Sequence, residues 1–322
     1  MLDDARAFWV MAPGRGEIRG ESLRRPVEGE VVIKALYSGI SRGTEALVFD
    51  GRVPPSEWER MRAPFQQGSF PAPVKYGYSM VGRVEHGPDS LAGRTVFVLH
   101  PHQTRFIVPA GDVHVLSDTD PARAVLAANL ETAVNGVWDA RPHVGDRIAV
   151  IGAGTVGCLV AWLVSRVAGC EVELIDINPG RAAVARALDV QFAEPSAASP
   201  DSDLVIHASG TPEGLELALQ LAGVEARIVE LSWFGDRAVP LSLGRAFHAR
   251  RLTILSSQVG RIAPSQRPRW DGRRRMQLVF SLLRDPTLDV LISGESAFEE
   301  LPELMATLAR APGDTLCHRI RY

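Results

Sequence analysis

The sequence predicts an α/β protein of two domains: a β-rich domain, then a doubly wound parallel sheet, with a short C-terminal return to the first domain. Three observations carry that prediction. The chain has 322 residues, 46% of them hydrophobic, enough for two cores. Residues 1 to about 115 are dense in Gly and Pro turn signals around short β-like runs. From about 120 onward, apolar strands alternate with helical stretches, the pattern of βαβ units. The boundaries fall at 1–120, 121–284 and 285–322.

In chain order, EVVIKALYSGI, MVGRVEH and RTVFVLH read as strands of the first domain. RIAVIG, EVELID, DLVIHAS and ARIVELSW read as strands of the second, separated by the helical TVGCLVAWLVSRVA, GRAAVARAL and PEGLELALQLA. RLTILSSQV (251–259) is a further strand of that sheet, and DGRRRMQLVFSLL a helix. Between them RIAPSQRPRW has no apolar periodicity and reads as a hinge or cleft-facing loop. The sequence holds no internal repeat and no low-complexity tract.

Charge and cysteine usage exclude several function classes. A net charge of −3 gives no global attraction to nucleic acid or an anionic membrane, so a small-molecule partner is expected. The three cysteines, Cys158, Cys170 and Cys317, form no CxxC pair, which excludes a disulfide framework and a four-thiolate zinc knuckle. The N-terminal MLDDARAFWV lacks the basic segment and apolar core of an export signal, so a cytoplasmic location is expected. The uncharged stretch 148–164 carries three glycines at motif spacing, and so reads as strand, turn and helix rather than a membrane span.

That turn is Gly152-Ala153-Gly154-Thr155-Val156-Gly157, the glycine pattern of a Rossmann dinucleotide site. Gly152 permits the tight turn, Gly154 lets backbone approach a pyrophosphate, and Gly157 lets the helix pack on the strand. A pyrophosphate there meets free N–H groups and the positive end of the helix dipole. Such a glycine run alone is weak. Asp176 strengthens it: at the end of the second strand, 176 − 157 = 19 residues on, it is placed to bind an adenosine ribose. Its charge repels a 2′-phosphate, so NAD(H) is preferred; Arg181 nearby keeps NADP(H) open. A bland role, capping the helix that starts near Pro179, is compatible with ribose binding. Asn178 and Ser209, each just past a strand end, complete the expected cofactor set.

This order of domains resembles the medium-chain dehydrogenase/reductase superfamily. The resemblance rests on SGISRGTE (38–45), VKYGYSMVGRV (74–84), FIVPAGDVHVLSD (106–118), LAANLETAVNGVW (126–138) and HASGTPEGLELAL (207–219), and spans essentially the whole chain. It implies a GroES-like catalytic domain, a Rossmann domain, hydride transfer with NAD(P)(H), and a homodimer joined through the edge strand near 251–259. The run GIS-x-GTE is shared with the bacteriochlorophyllide hydroxyethyl dehydrogenase branch. Zinc members of the superfamily place metal ligands where this sequence has Ser41, Tyr78 within Gly77-Tyr78-Ser79, and Ala128. Hydroxyl, phenol and methyl groups are poor zinc donors, so no catalytic zinc is expected.

Without a metal, the charge that develops on a carbonyl oxygen must meet a proton source or hydrogen-bond donor. The resemblance points Tyr78 at the reacting centre, with a ring that plugs the vacated pocket as the bland alternative. Ser41 and Thr132 lie nearby by the same resemblance, Thr132 against the nicotinamide; both could equally be satisfied core hydroxyls. His102, with His100 in LHPHQTR, is placed to shuttle protons, or else simply caps a strand. Arg42 matches a pyrophosphate-contacting position, and Asn129 and Glu131 lie where they would order Thr132 or meet substrate. Lys75, one of two lysines with Lys34, has a solvated role as its default. Arg267, Arg269 and the run Arg273-Arg274-Arg275 could take an acidic substrate or start a solvated helix. The expected activity is alcohol/carbonyl interconversion. The alternatives are an NADPH-dependent quinone or enone reductase and a non-catalytic dinucleotide-binding protein.

Overall fold

The computed structural model describes residues 5–311 and 313–322. It divides into two compact units: one holds the chain up to Ala128 with Phe280–Pro286 and Ile292–Tyr322, the other Asn129–Val279 with Thr287–Leu291. Among the described residues no helix is long and apolar enough to cross a membrane.

The first unit is built on the strand Glu30–Ile40, which pairs antiparallel with Met80–His86, Arg105–Pro109 and Cys317–Arg321 in a seven-stranded sheet. Val31, Ile33 and Ala35 alternate onto one face, where Met80, Val84, Val96, Val98, Phe106 and Val108 meet them in a core. Burying each of the larger side chains contributes about 1.5–3 kcal/mol. A four-stranded sheet carries Ala5–Ala12 between Arg15–Glu21 and Val74–Lys75. The strand Glu30–Ile40 delivers Ser38 and then Ser41, the N-cap residue of the helix Arg42–Phe49, whose inward face holds Glu45, Leu47, Val48 and Phe49.

The second unit is a six-stranded, all-parallel sheet. Arg147–Ile151 and Ser202–His207 are its central strands, and Thr253–Ser256 closes one edge. Helices cover both faces of such a sheet, so its inner strands are apolar throughout: Ile148 to Ile151 are all buried. The expected strand at 251–259 is shorter, Thr253–Ser256, because the neighbouring strand Ala222–Glu230, with which it pairs in parallel, ends at Glu230 opposite Ser256. All six carboxyl ends share one edge, where ligands of open α/β sheets sit.

Candidate active site

The glycine turn lies at the carboxyl end of Arg147–Ile151. Gly152 has φ +103°, and a Cβ there would lie 2.6 Å from the Ser209 backbone; a Cβ on Gly157 would lie 1.8 Å from the Gly152 carbonyl oxygen. Both positions therefore require glycine. Gly154, the N-cap of the helix Thr155–Val164, faces open space, with nothing within 4 Å of a Cβ. That opening, over a helix start whose first N–H groups have no intrahelical acceptor, fits a dinucleotide pyrophosphate in both shape and charge. Thr155 and Val156 form the first turn beneath it.

Asp176 follows the strand Glu171–Ile175 and is half-buried. Its Oδ2 accepts from the Ala153 N–H at 2.6 Å and its Oδ1 from Asn178 N–H at 2.9 Å, which fixes the carboxylate beside the turn. Asn178 in turn accepts from Gly180 N–H, so Asp176 closes the loop rather than capping the helix Arg181–Ala187. Arg181 is buried at 6% exposure, close enough to Cys158 to counter part of the rise in that thiol's pKa, which burial pushes to about 12.

Ser209 belongs to a closed network. His207, wholly buried, places Nδ1 2.6 Å from Glu230 Oε2 and Nε2 2.6 Å from Ser209 Oγ. The Ser209 oxygen also meets Thr211 Oγ1 at 2.9 Å and accepts from Thr211 N–H at 3.2 Å. The hydroxyl is thereby committed to holding the loop after Ser202–His207 beside Gly152.

In the first unit a second polar cluster gathers around Glu45, which is 4% exposed. Glu45 Oε1 accepts from the Ser41 N–H at 2.8 Å, and Oε2 lies 2.8 Å from His102 Nε2. A carboxylate only accepts, so Nε2 carries the proton; in the neutral tautomer Nδ1 then accepts from Ser38 Oγ, 2.7 Å away. Ser38 Oγ is 2.9 Å from the Tyr322 hydroxyl, and burial pushes that phenol's pKa well above its ordinary value. Tyr78, half-buried, hydrogen-bonds to the side chains of Ser41 and Thr44 and stands edge-on to Tyr76. Burial and then the Glu45 charge raise its pKa to about 12. Gly77 precedes it at φ +134°, and a Cβ there would come within 3.0 Å of the His102 ring.

The structure thus brings Ser41, Tyr78 and His102 together around Glu45 and gathers the turn, Asp176, Asn178, Arg181 and Ser209 in the other unit. Arg42 opens the helix at Ser41, half-buried. Thr132 lies on the helix Ala127–Ala140, half-buried, between buried Glu131 and Ala133. His100 is set apart from proton shuttling: Nδ1 is 2.8 Å from the Pro101 carbonyl oxygen, the ring stacks on Phe106, and burial lowers its pKa to about 3. Two defaults from sequence change. Lys75 is not solvated but 1% exposed, with Nζ 2.8 Å from Glu21 and 2.7 Å from Gln103 Oε1. Arg275, in the arginine run, is buried against Glu131 and Asn135. Glu131 is accordingly an ion-pair partner within its own unit.

At the positions where the resemblance places metal ligands, hydroxyl, phenol and methyl groups stand instead. Ser41 and Tyr78 present hydroxyls engaged with each other, Ala128 presents a methyl, and among the described residues no three His, Cys, Asp or Glu side chains converge. Glu45 and His102, the nearest strong donors, are turned to one another. Sequence reasoning missed Glu45, Ser38 and Tyr322. Glu45 had a signal, as an acid three residues past an arginine inside a motif of small residues; Tyr322 lies 284 residues from Ser38, and no local pattern links them.

The chain is similar in sequence or fold to several known proteins. A family model described as ketopantoate reductase PanE/ApbA matches residues 148–208, the segment of the glycine turn. D-guloside 3-dehydrogenase of Escherichia coli K12 is 22% identical over 320 residues, covering 90% of this chain and 89% of its own. The 2-desacetyl-2-hydroxyethyl bacteriochlorophyllide A dehydrogenase of Rhodobacter capsulatus is 29% identical over 244 residues, covering 68% and 70%. Among solved structures, an alcohol dehydrogenase of Escherichia coli CFT073 complexed with NADH superposes with a TM-score of 0.78 at 16% identity, covering 99% of each chain. That last likeness is one of fold.

Proposed function

The chain belongs to the medium-chain dehydrogenase/reductase superfamily, and from that premise we propose that it is an NAD(H)-preferring oxidoreductase that interconverts an alcohol and a carbonyl without a catalytic zinc. The observation that carries this reading is the glycine turn with Asp176 fixed beside it by the Ala153 N–H. Gly152, Gly154 and Gly157 shape the seat for a pyrophosphate, the first N–H groups at Thr155 and Val156 meet its charge, and Asp176 takes the ribose hydroxyls. Burial of Arg181 supports NAD(H) over NADP(H), because a guanidinium inside the fold is poorly placed to receive a 2′-phosphate.

When bound, the nicotinamide ring supplies or accepts the hydride. The chain's own residues then manage the proton. Tyr78, with a pKa raised to about 12, keeps its phenolic proton at neutral pH and is suited to donate a hydrogen bond, and then the proton, to a carbonyl oxygen as charge builds there. Ser41 and Thr44 orient that phenol. Glu45 opposes phenolate formation and so keeps Tyr78 in its protonated, hydrogen-bond-donating form at neutral pH. His102 touches Glu45 and Ser38 and acts as a positioning residue.

The test is NADH- and NADPH-dependent reduction of an aldehyde and ketone panel by the purified protein after exhaustive chelation, with metal content measured. Turnover with NADH by metal-free protein is expected. Loss of turnover restored only by zinc refutes the metal-free chemistry, and calorimetry detecting neither dinucleotide at millimolar concentration refutes the whole reading.

A further inference from the structure

The stretch Arg261–Arg275 holds six arginines and one acid in a chain whose net charge is −3. That acid, Asp271, is spent locally: Oδ1 accepts the Arg274 main-chain N–H at 2.7 Å and caps the helix Gly272–Leu282. Arg275 turns inward as a strut. Its Nη1 donates to Asn135 Oδ1 at 2.7 Å, Nε to Glu131 Oε1 at 3.1 Å and Nη2 to the Val259 carbonyl at 2.8 Å; Asn135 Oδ1 also accepts from Ala263 N–H. The loop is thus fastened at both ends to the helix Ala127–Ala140.

Arg261, Arg267, Arg269 and Arg274 remain exposed, and among the described residues none of these four pairs with a carboxylate. What contacts they have set their direction. Arg267 Nε donates to the Ile262 carbonyl at 2.8 Å, Arg269 Nη2 to Gln266 Oε1 at 3.2 Å, and Arg274 Nη1 to the Arg269 carbonyl. The Arg274 guanidinium lies 4.0 Å over Trp270, whose ring meets Trp138 at 4.9 Å. Most of the five N–H donors on each guanidinium stay available. Like charges collected on a braced loop repel one another, and an anion relieves that repulsion with little ordering cost. The loop leaves the carboxyl end of Thr253–Ser256, on the sheet edge that also carries the glycine turn and Asp176.

We propose that this loop is the anion-recognition element of the substrate site, receiving a carboxylate or phosphate on the carbonyl compound or alcohol. The assignment rests on the oxidoreductase reading above and narrows its substrate class. Its first test compares matched pairs, a keto acid with its neutral amide and an aldose phosphate with the free aldose, in wild type and in the Arg267→Gln/Arg269→Gln double variant. The anionic-to-neutral ratio of kcat/KM should fall about tenfold or more in the double variant. It should hold in Arg251→Gln, an exposed arginine paired with Glu225 outside the loop. The two pairs separate a carboxylate site from a phosphate site, and an unchanged ratio in both overturns the proposal.

The second test needs no turnover: inorganic phosphate and acetate are titrated against tryptophan fluorescence, with Trp270→Phe to assign the signal. Saturation by either anion that weakens about tenfold in the double variant upholds the loop as an anion site, even if no carbonyl is reduced and the reaction reading falls. Absence of saturation up to tens of millimolar, or equal affinity in the variant, overturns it. So does retention of the protein on anionic vesicles or DNA that the same substitutions abolish while both small anions fail to bind.

Discussion

His102 Nε2 lies 2.8 Å from Glu45 Oε2, with both side chains almost wholly buried. Removing the imidazole leaves a buried carboxylate that still accepts from the Ser41 N–H but has lost its partner at Oε2. His102→Phe should therefore destabilise the fold by about 3–5 kcal/mol in urea unfolding, whereas Glu45→Gln, which keeps an acceptor opposite Nε2, should cost about half as much or less. A loss under 1 kcal/mol for His102→Phe would show that the pair is not holding the cluster.

Tyr78→Phe removes one oxygen and leaves the ring packed against Tyr76. Carbonyl reduction should fall between about 10²- and 10⁴-fold in kcat, with NADH affinity intact by fluorescence titration. A variant retaining more than half of the wild-type kcat removes Tyr78 from the chemistry.

Asp176→Ala withdraws both the ribose contact and the acceptor of the Ala153 N–H. NADH binding should weaken about ten- to a hundredfold while NADPH binding changes little, narrowing the preference. Equal weakening for both cofactors would point to a collapsed turn rather than a lost sugar contact.

His100 predicts the pH dependence of stability. Its pKa is lowered from 6.5 to about 3 by burial, so below pH 6.5 the unfolded chain takes up a proton that the folded chain refuses. The contribution is fully present above pH 6.5 and is lost as pH falls toward 3, at up to about 1.4 kcal/mol per pH unit. His100→Gln should flatten the curve of unfolding free energy between pH 6.5 and 4.5 by that amount. Parallel curves for the two proteins would place the titration elsewhere.

The resemblance also implies a dimer joined at the edge strand, and Leu255 on Thr253–Ser256 is 40% exposed. Leu255→Arg should then convert a dimer to a monomer by light scattering, while a wild-type monomer ends the expectation.

The parallel sheet was legible because its strands are covered on both faces and read as unbroken apolar runs, as in Ile148–Ile151. The glycine turn was legible because Gly152 and Gly157 leave no room for any other residue. The cluster around Glu45 was harder, since Ser38, Glu45, His102 and Tyr322 meet only through antiparallel pairing of distant strands. Arg275 could have been separated from its neighbours by phase: it lies one helical turn before Val279, on the face that also buries Met276 and Phe280. A charge run conceals that phase when it is read as composition.

The burial of Lys75 has a practical consequence for conjugation. Of the two side-chain amines in the sequence, Lys75 is locked between Glu21 and Gln103 with Trp9 beside it, while Lys34 projects into solvent from the strand Glu30–Ile40. Amine-reactive dyes or surface-coupling reagents should therefore mark a single side chain in the native state, and uptake at the other would report unfolding of the first unit.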